Sequence, residues 1–356
     1  MGIEMKKRFV KIAACIVMGA VLFCAGGCQG NKMFDKKLKE NEVVGIGDNT
    51  YSKAQAMLFL LTEKTIYSNS YGEEIWSKKM GEQSAQEYVK DTVKSQLIQL
   101  NAMYQMAQEK EITLTDTQKE QIKKSAQSYY DSLSKEDIDE LGIVLSDITN
   151  MYTQYAVSKK LVDTVTKDVD IEISDTAARV MKIQYVYLSN QKKGEDGETT
   201  PLSKKEIKNC KDTLESIQKA VKEDKKDFST LAHKYSEDDV VEMELSGSDM
   251  TQEFVDAAFA LEKGKLSDIL ELENGYYLIY CVEDYLVEKT EKNKEKMQEE
   301  RLQEAFNKEY EAFYKKQEIL FNESLWNDID LSELPDLSVT NFYTSYMDEE
   351  EDIIVK

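Results

Sequence analysis

Apolar positions recur at helical spacing through the first half of the chain and in short strand-like runs through the second. Residues 43–46 form an apolar run closed by the turn signal Gly47-Asp48-Asn49. Ser52-x-x-Gln55 then has the form of a capping box, and Ala54, Met57, Leu58, Leu61 and Ile66 follow at helical steps. A second helix is predicted from about Ser84 to Glu109, with Val89, Val93, Leu97, Leu100, Met103 and Ala107 along one stripe. Thr115-x-x-Gln118 caps a third that reaches Leu133, and Ser146 opens a fourth through Ile148, Met151, Tyr155, Leu161 and Val165. No glycine interrupts 82–141 and no proline precedes Pro201, so 43–172 is expected to be a helical domain.

Residues 170–175 are expected to link this domain to a second one over 173–286. Residues 180–188 alternate like a strand, with Ile183, Tyr185 and Tyr187 on one side. After a polar loop, Ser203-x-x-Glu206 caps a helix that turns Ile207, Cys210, Leu214, Ile217 and Val221 inward. Phe228, Leu231 and Tyr235 share one face of a short helix. Phe254, Ala258, Phe259 and Leu261 mark the next, entered at Thr251 and stopped by Gly264. Residues 276–282 are apolar and aromatic between Asn274-Gly275 and Glu283-Asp284, which predicts a buried strand.

From Val287 a charged helix is predicted to about Phe321, with Leu302, Phe306, Tyr310 and Tyr314 recurring every fourth residue. So amphipathic a helix needs a partner, and 287–330 is expected to return to the N-terminal helices. A coiled-coil dimer is the competing account, against which the stripe is short and lacks sustained heptads. Residues 331–356 read as an acidic tail without a packing pattern.

The N-terminus reads as an address. Lys6, Lys7, Arg8 and Lys11 precede an apolar stretch over 12–27 that is too short for a stable span and ends in Ala25-Gly26-Gly27-Cys28. That ending resembles a bacterial lipoprotein processing box. It implies a signal over 1–27, lipidation of Cys28, a tether over 28–42 and a protein anchored to the outer face of the cytoplasmic membrane. An ordinary secretory signal that happens to contain cysteine is the alternative.

The net charge of −22 repels phosphate backbones and argues against nucleic acid as a partner. One histidine and no Cys/His cluster argue against zinc, and no cofactor is expected. Beyond the address, Cys210 and Cys281 read as two buried thiols, with a disulfide as the alternative. The Met and Tyr residues of the helical domain (Tyr67, Tyr71, Met103, Tyr104, Met151 and Tyr152 among them) fit either a core or an adaptable surface for unfolded chains.

Three strings carry a family resemblance. They are Leu231-Ala232-x-x-Tyr235-Ser236-x-Asp238, Met250-x-x-x-Phe254-x-x-Ala257-Ala258-Phe259-Ala260-Leu261-x-x-Gly264, and Gly275-Tyr276-Tyr277-Leu278-Ile279. Together they resemble a parvulin-type peptidyl-prolyl isomerase domain, and FVDAAFALEKGKLSDIL is the most specific part. With the lipoprotein start and flanking helices, the chain resembles the PrsA foldases and the SurA group. The resemblance implies an α+β fold, in which a discontinuous helical chaperone-like domain carries an inserted small antiparallel sheet wrapped by helices. It also implies a foldase for exported polypeptides, bound in unfolded or extended form. Prolyl isomerisation is then the candidate activity. A non-catalytic holdase and a structural or adaptor lipoprotein are the alternatives.

Carried over residue by residue, the resemblance places Met250 and Phe254 in the proline pocket, with Phe259 as a supporting aromatic. Asp238 takes the position of the family's acid or thiol. The two histidine positions of the family fall on Tyr185 and Tyr277, so catalysis would rest on Asp238, Tyr185 and Tyr277. His233 is expected on the surface and is not a substitute. Lys192 and Lys193 stand among Glu195, Asp196 and Glu198, which is not the basic loop of the phosphopeptide-selective branch.

Overall fold

The computed structural model describes residues 37–193 and 198–347. The signal over 1–27, Cys28 and the last residues of the tail lie outside the described residues. Two compact units divide the chain, one of residues 1–169 and 302–356, the other of residues 170–301. The architecture is α+β, rich in helix with small antiparallel sheets.

The first unit begins with β1 (Glu42–Ile46), β2 (Asn49–Ser52), α1 (Lys53–Tyr71) and a 3-10 segment (Glu73–Ser77). The short ribbon β3 (Lys79–Met80) and β4 (Gln83–Ser84) leads into α2 (Ala85–Glu109), α3 (Asp116–Ser132), α4 (Lys135–Leu141) and α5 (Leu145–Thr166). Local chemistry starts these helices. Ser52 Oγ accepts from Gln55 N at 3.3 Å while the Gln55 side chain accepts from Ser52 N at 3.0 Å. The Ser84–Glu87 and Thr115–Gln118 pairs repeat that reciprocal bond. Along α2, Val93, Leu97, Ala102 and Met103 are fully buried, as a helical stripe requires.

The second unit contains α6 (Asp175–Ala178), β5 (Met181–Ser189), the hairpin β6 (Gln191–Lys193) and β7 (Thr199–Pro201), α7 (Lys204–Lys222) and α8 (Phe228–Tyr235). β8 (Glu242–Leu245), α9 (Gln252–Phe259), β9 (Leu270–Leu272) and β10 (Gly275–Glu283) follow, and then α10 (Val287–Tyr314). The strands β8-β5-β10-β9 make an antiparallel sheet. Its period of two sends alternate side chains to opposite faces. Met181, Ile183, Tyr185, Tyr277, Ile279 and Cys281 pack with Phe254, Val255 and Ala258 of α9. Val186, Leu188, Tyr276 and Leu278 pack instead with Leu214 and Ile217 of α7 and with Phe228 and Ala232 of α8. Cys281 and Cys210 therefore belong to opposite faces and are free thiols.

The chain then adds β11 (Ile319–Phe321), α11 (Glu323–Asn327) and α12 (Thr344–Met347) to the first unit. β11 pairs with β1, giving the antiparallel order β11-β1-β2. Among the described residues no helix is long and apolar enough to cross a membrane.

Several expectations need correction. The division between units falls inside α10, at Arg301–Leu302, and not at its start. Its first half is tied into the second unit, where Asn293 Nδ2 donates to the Ala178 carbonyl and Gln298 Nε2 to the Ile171 carbonyl. Tyr235, the last residue of α8, is exposed and does not join Phe228 and Leu231 in the core. α9 stops at Phe259, before Leu261. Gly264, at φ +78°, belongs to the following turn and donates its N–H to the Cys281 carbonyl. Residues 331–345 are not a tail, since Leu331, Leu337 and Phe342 are buried in the first unit.

Candidate functional site

Two strands and one helix bring the candidate residues together. Register pairs Tyr185 of β5 with Ile279 of β10, and Tyr187 with Tyr277. Tyr185 and Tyr277 are thus diagonal neighbours on one face, with ring centroids 6.2 Å apart. α9 lays Phe254 across both, edge to face, at 6.1 Å from Tyr185 and 5.3 Å from Tyr277. Phe254 is fully buried, Tyr277 is 3% exposed and Tyr185 is 9% exposed. Met250, just before α9, and Phe259, its last residue, pack partly buried against the same cluster. Phe259 lies at the edge, with the Arg179 guanidinium 5.0 Å from its ring centroid.

Asp238 arrives from the loop after α8. Ser236 Oγ accepts from Tyr187 N at 3.0 Å and from Asp238 N at 3.3 Å, and Glu237 N donates to the Tyr187 carbonyl at 2.8 Å. The Ser-Glu-Asp segment is thereby stitched to β5. This fixes Asp238 where its Oδ2 accepts from the Tyr185 hydroxyl at 3.1 Å. Burial, and then the Asp238 charge, push the Tyr185 phenol up to about 12, and burial raises Tyr277 as well. Both phenols stay neutral at physiological pH. The sole histidine of the chain, His233, is exposed on α8 and lies outside the cluster.

One participant escapes the sequence reading. Tyr187 stacks obliquely on Tyr277 at 4.8 Å and donates its hydroxyl to the Asn274 carbonyl at 2.8 Å. The Asn274 side-chain amide donates in turn to the Tyr277 hydroxyl at 2.8 Å. Gly275 makes this possible, because a Cβ there would overlap the Leu188 carbonyl oxygen and the Tyr187 ring. The alternation in 180–188 put Tyr187 on the right face, but its pairing with Tyr277 depends on a register between distant strands.

Residues 197–283 match the rotamase family described as the PPIC-type PPIase domain. The chain carries a parvulin-type domain. The matched residues begin after β5, so Tyr185 and Tyr187 join the parvulin-type domain through strand pairing and not through the matched stretch. Over longer spans the chain is similar to the foldase protein PrsA of Caldanaerobacter subterraneus, at 23% identity over 77% of this chain and 82% of the relative. It is also similar to that of Clostridium acetobutylicum, at 24% identity over 78% of this chain and 84% of the relative. A solved structure of the peptidylprolyl isomerase PrsA from Bacillus cereus aligns over 86% of this chain and 99% of its own, at 16% identity and a TM-score of 0.35. The parvulin and PrsA-type resemblance read from the residues is borne out by the family and sequence matches.

Proposed function

We propose that the chain is a foldase that binds extended segments of exported polypeptides and isomerises their prolyl bonds. The supporting observation is the bond from the Tyr185 hydroxyl to Asp238 at the margin of an aromatic cluster. Rotation about an Xaa–Pro bond faces a barrier of roughly 18–20 kcal/mol because amide resonance must be broken. Catalysis needs no covalent step and no cofactor. It needs an apolar wall for the ring and polar groups that favour the twisted amide over the planar one.

Met250, Phe254 and Phe259 supply the wall in this reading, and Asp238, Tyr185 and Tyr277 the polar floor. A neutral phenol donor beside the twisted amide meets the nitrogen lone pair that resonance releases. Tyr277 is that donor, because its hydroxyl accepts from the Asn274 amide and keeps its own proton, whereas the single Tyr185 proton goes to Asp238 and fixes the Tyr185 ring beside it. Two carriers of the same name, PrsA foldases, align along most of the chain and support the wider foldase role. The lipid anchor at Cys28 completes the proposal and holds the protein on the outer face of the cytoplasmic membrane. The Cys28→Ala chain is expected in the soluble fraction.

A second reading has its own support. Tyr185, Tyr277 and Phe254 together leave little surface exposed, so the larger phenols fill space at the family's histidine positions. The domain is then a peptide-binding holdase without catalysis. A protease-coupled prolyl-peptide assay on the mature chain separates the two. Acceleration that falls in Asp238→Ala supports the isomerase. Suppressed client aggregation without acceleration supports the holdase.

A further inference from the structure

Residues 331–345 are held in the first unit in the manner of a bound peptide. Leu331 to Asn341 contains no helix or strand, and only Leu331, Leu337 and Phe342 of the segment 331–345 are buried. Ser332, Glu333, Pro335, Asp336 and Ser338 are exposed. Its backbone is received by side chains of the surrounding helices. Leu331 N donates to Gln86 Oε1 at 3.0 Å, Leu337 N to Thr65 Oγ1 at 2.9 Å and Ser338 N to Asp137 Oδ1 at 3.1 Å. The Tyr152 hydroxyl donates to the Phe342 carbonyl at 2.8 Å. Backbone capture with a few side-chain anchors is how extended peptides are recognised.

The anchors sit in formed pockets. The Phe342 ring lies among Phe59, Tyr129 and Tyr152, with centroids at 5.4, 5.3 and 5.2 Å. Beside it a small recess, with room for about one water, is lined by Phe59, Leu100, Met151 and Tyr155 and closed by Phe342 and Tyr343 themselves. Lys64 is 2% exposed and meets Asp336 at 2.7 Å, with Glu73 further away at 3.6 Å. A buried ammonium needs such a partner, so the groove favours an acid beside the aliphatic anchor.

We infer that residues 331–345 are a self-ligand occupying a second peptide-binding groove, on the helical unit, whose external ligand is an extended client segment with an acid next to an aliphatic residue and an aromatic about five residues on. This rests on the foldase reading for the identity of the client, but the groove itself does not depend on isomerase chemistry. The tethered segment competes at high effective concentration, so the intact chain binds such segments weakly and loosening the segment exposes the groove.

The test uses a fluorescent synthetic peptide of residues 331–347 and three proteins: the full chain, the full chain carrying Phe342→Ala, and a chain ending at residue 330. The expected result is saturable peptide binding that is roughly ten-fold or more tighter in both altered proteins than in the full chain. Asp137→Ala combined with Phe342→Ala is expected to remove that gain. If Phe342→Ala stays folded by circular dichroism and binds the peptide no better than the full chain, the segment is ordinary core and the inference fails. The same holds if the shortened chain unfolds and Phe342→Ala shows no gain. An unfolded client that does not displace the bound peptide overturns the client ligand. Prolyl isomerase activity, measured in parallel, reports on the foldase reading separately.

Discussion

The Tyr185 hydroxyl donates to Asp238 Oδ2 at 3.1 Å, joining residues that the sequence separates by a loop, two helices and a hairpin. Both depend on Ser236, which bonds β5 and the Asp238 amide at once. The pair is partly exposed, and its coupling is expected to be about 0.5–1.5 kcal/mol. A double-mutant cycle of Tyr185→Phe and Asp238→Ala in urea unfolding measures it. Additive effects would show that the bond contributes nothing.

The pH dependence of the site follows from its phenols. Burial first, then Asp238, raises Tyr185 to about 12, above the unfolded value of 10. Its contribution to stability is therefore fully present below about pH 10 and is lost as pH rises through about 12. Activity and peptide binding are expected to be flat from about pH 6 to 9, whereas an imidazole site inflects near ~6.5. A pH–rate profile with an inflection near 6.5 would contradict the phenol floor.

Gly275 is a steric requirement of the site. A methyl group there meets the Leu188 carbonyl and the Tyr187 ring, at a backbone φ of +156°. Gly275→Ala is expected to destabilise the chain by about 1–3 kcal/mol and to disturb Tyr187 and Tyr277 together. Denaturant unfolding and the near-ultraviolet tyrosine circular dichroism check this. An unchanged tyrosine spectrum would show that the rings do not depend on the close approach.

Much of the helical architecture was legible, because capping boxes are local. Ser52–Gln55, Ser84–Glu87, Thr115–Gln118 and Ser203–Glu206 form within three residues of chain and need no tertiary information. The short edge strands β8 and β9 left no pattern, since four and three residues are too few to show a period. Leu331, Leu337 and Phe342 are spaced by six and then five residues, which matches neither helix nor strand. The candidate site was legible only as separate residues on separate elements. Tyr187 was missed as a member because its partner is set by β5–β10 register.

Glu63 on α1 gives a stability prediction. Burial raises its carboxyl above the ordinary value, with Tyr343 and Gln96 beside it. A raised acid favours the folded state while protonated, so its contribution is present in acid and is lost as pH rises through the folded value. At neutral pH the charge is a liability, and Glu63→Gln is expected to raise Tm at pH 7, with the advantage shrinking toward pH 4. A variant that melts lower at pH 7 would show that the carboxylate is needed there.

The central claim is that Tyr185, Tyr277, Asp238, Met250 and Phe254 form one working site for a prolyl segment. Exchange spectroscopy on an Xaa–Pro peptide with the intact mature chain measures it most directly. The account predicts cis–trans exchange faster than in buffer, reduced roughly ten-fold or more by Asp238→Ala, as expected for a lost polar contribution to the transition state. Exchange at the buffer rate in the native chain, appearing only when Tyr185→His and Tyr277→His are made together, would contradict it.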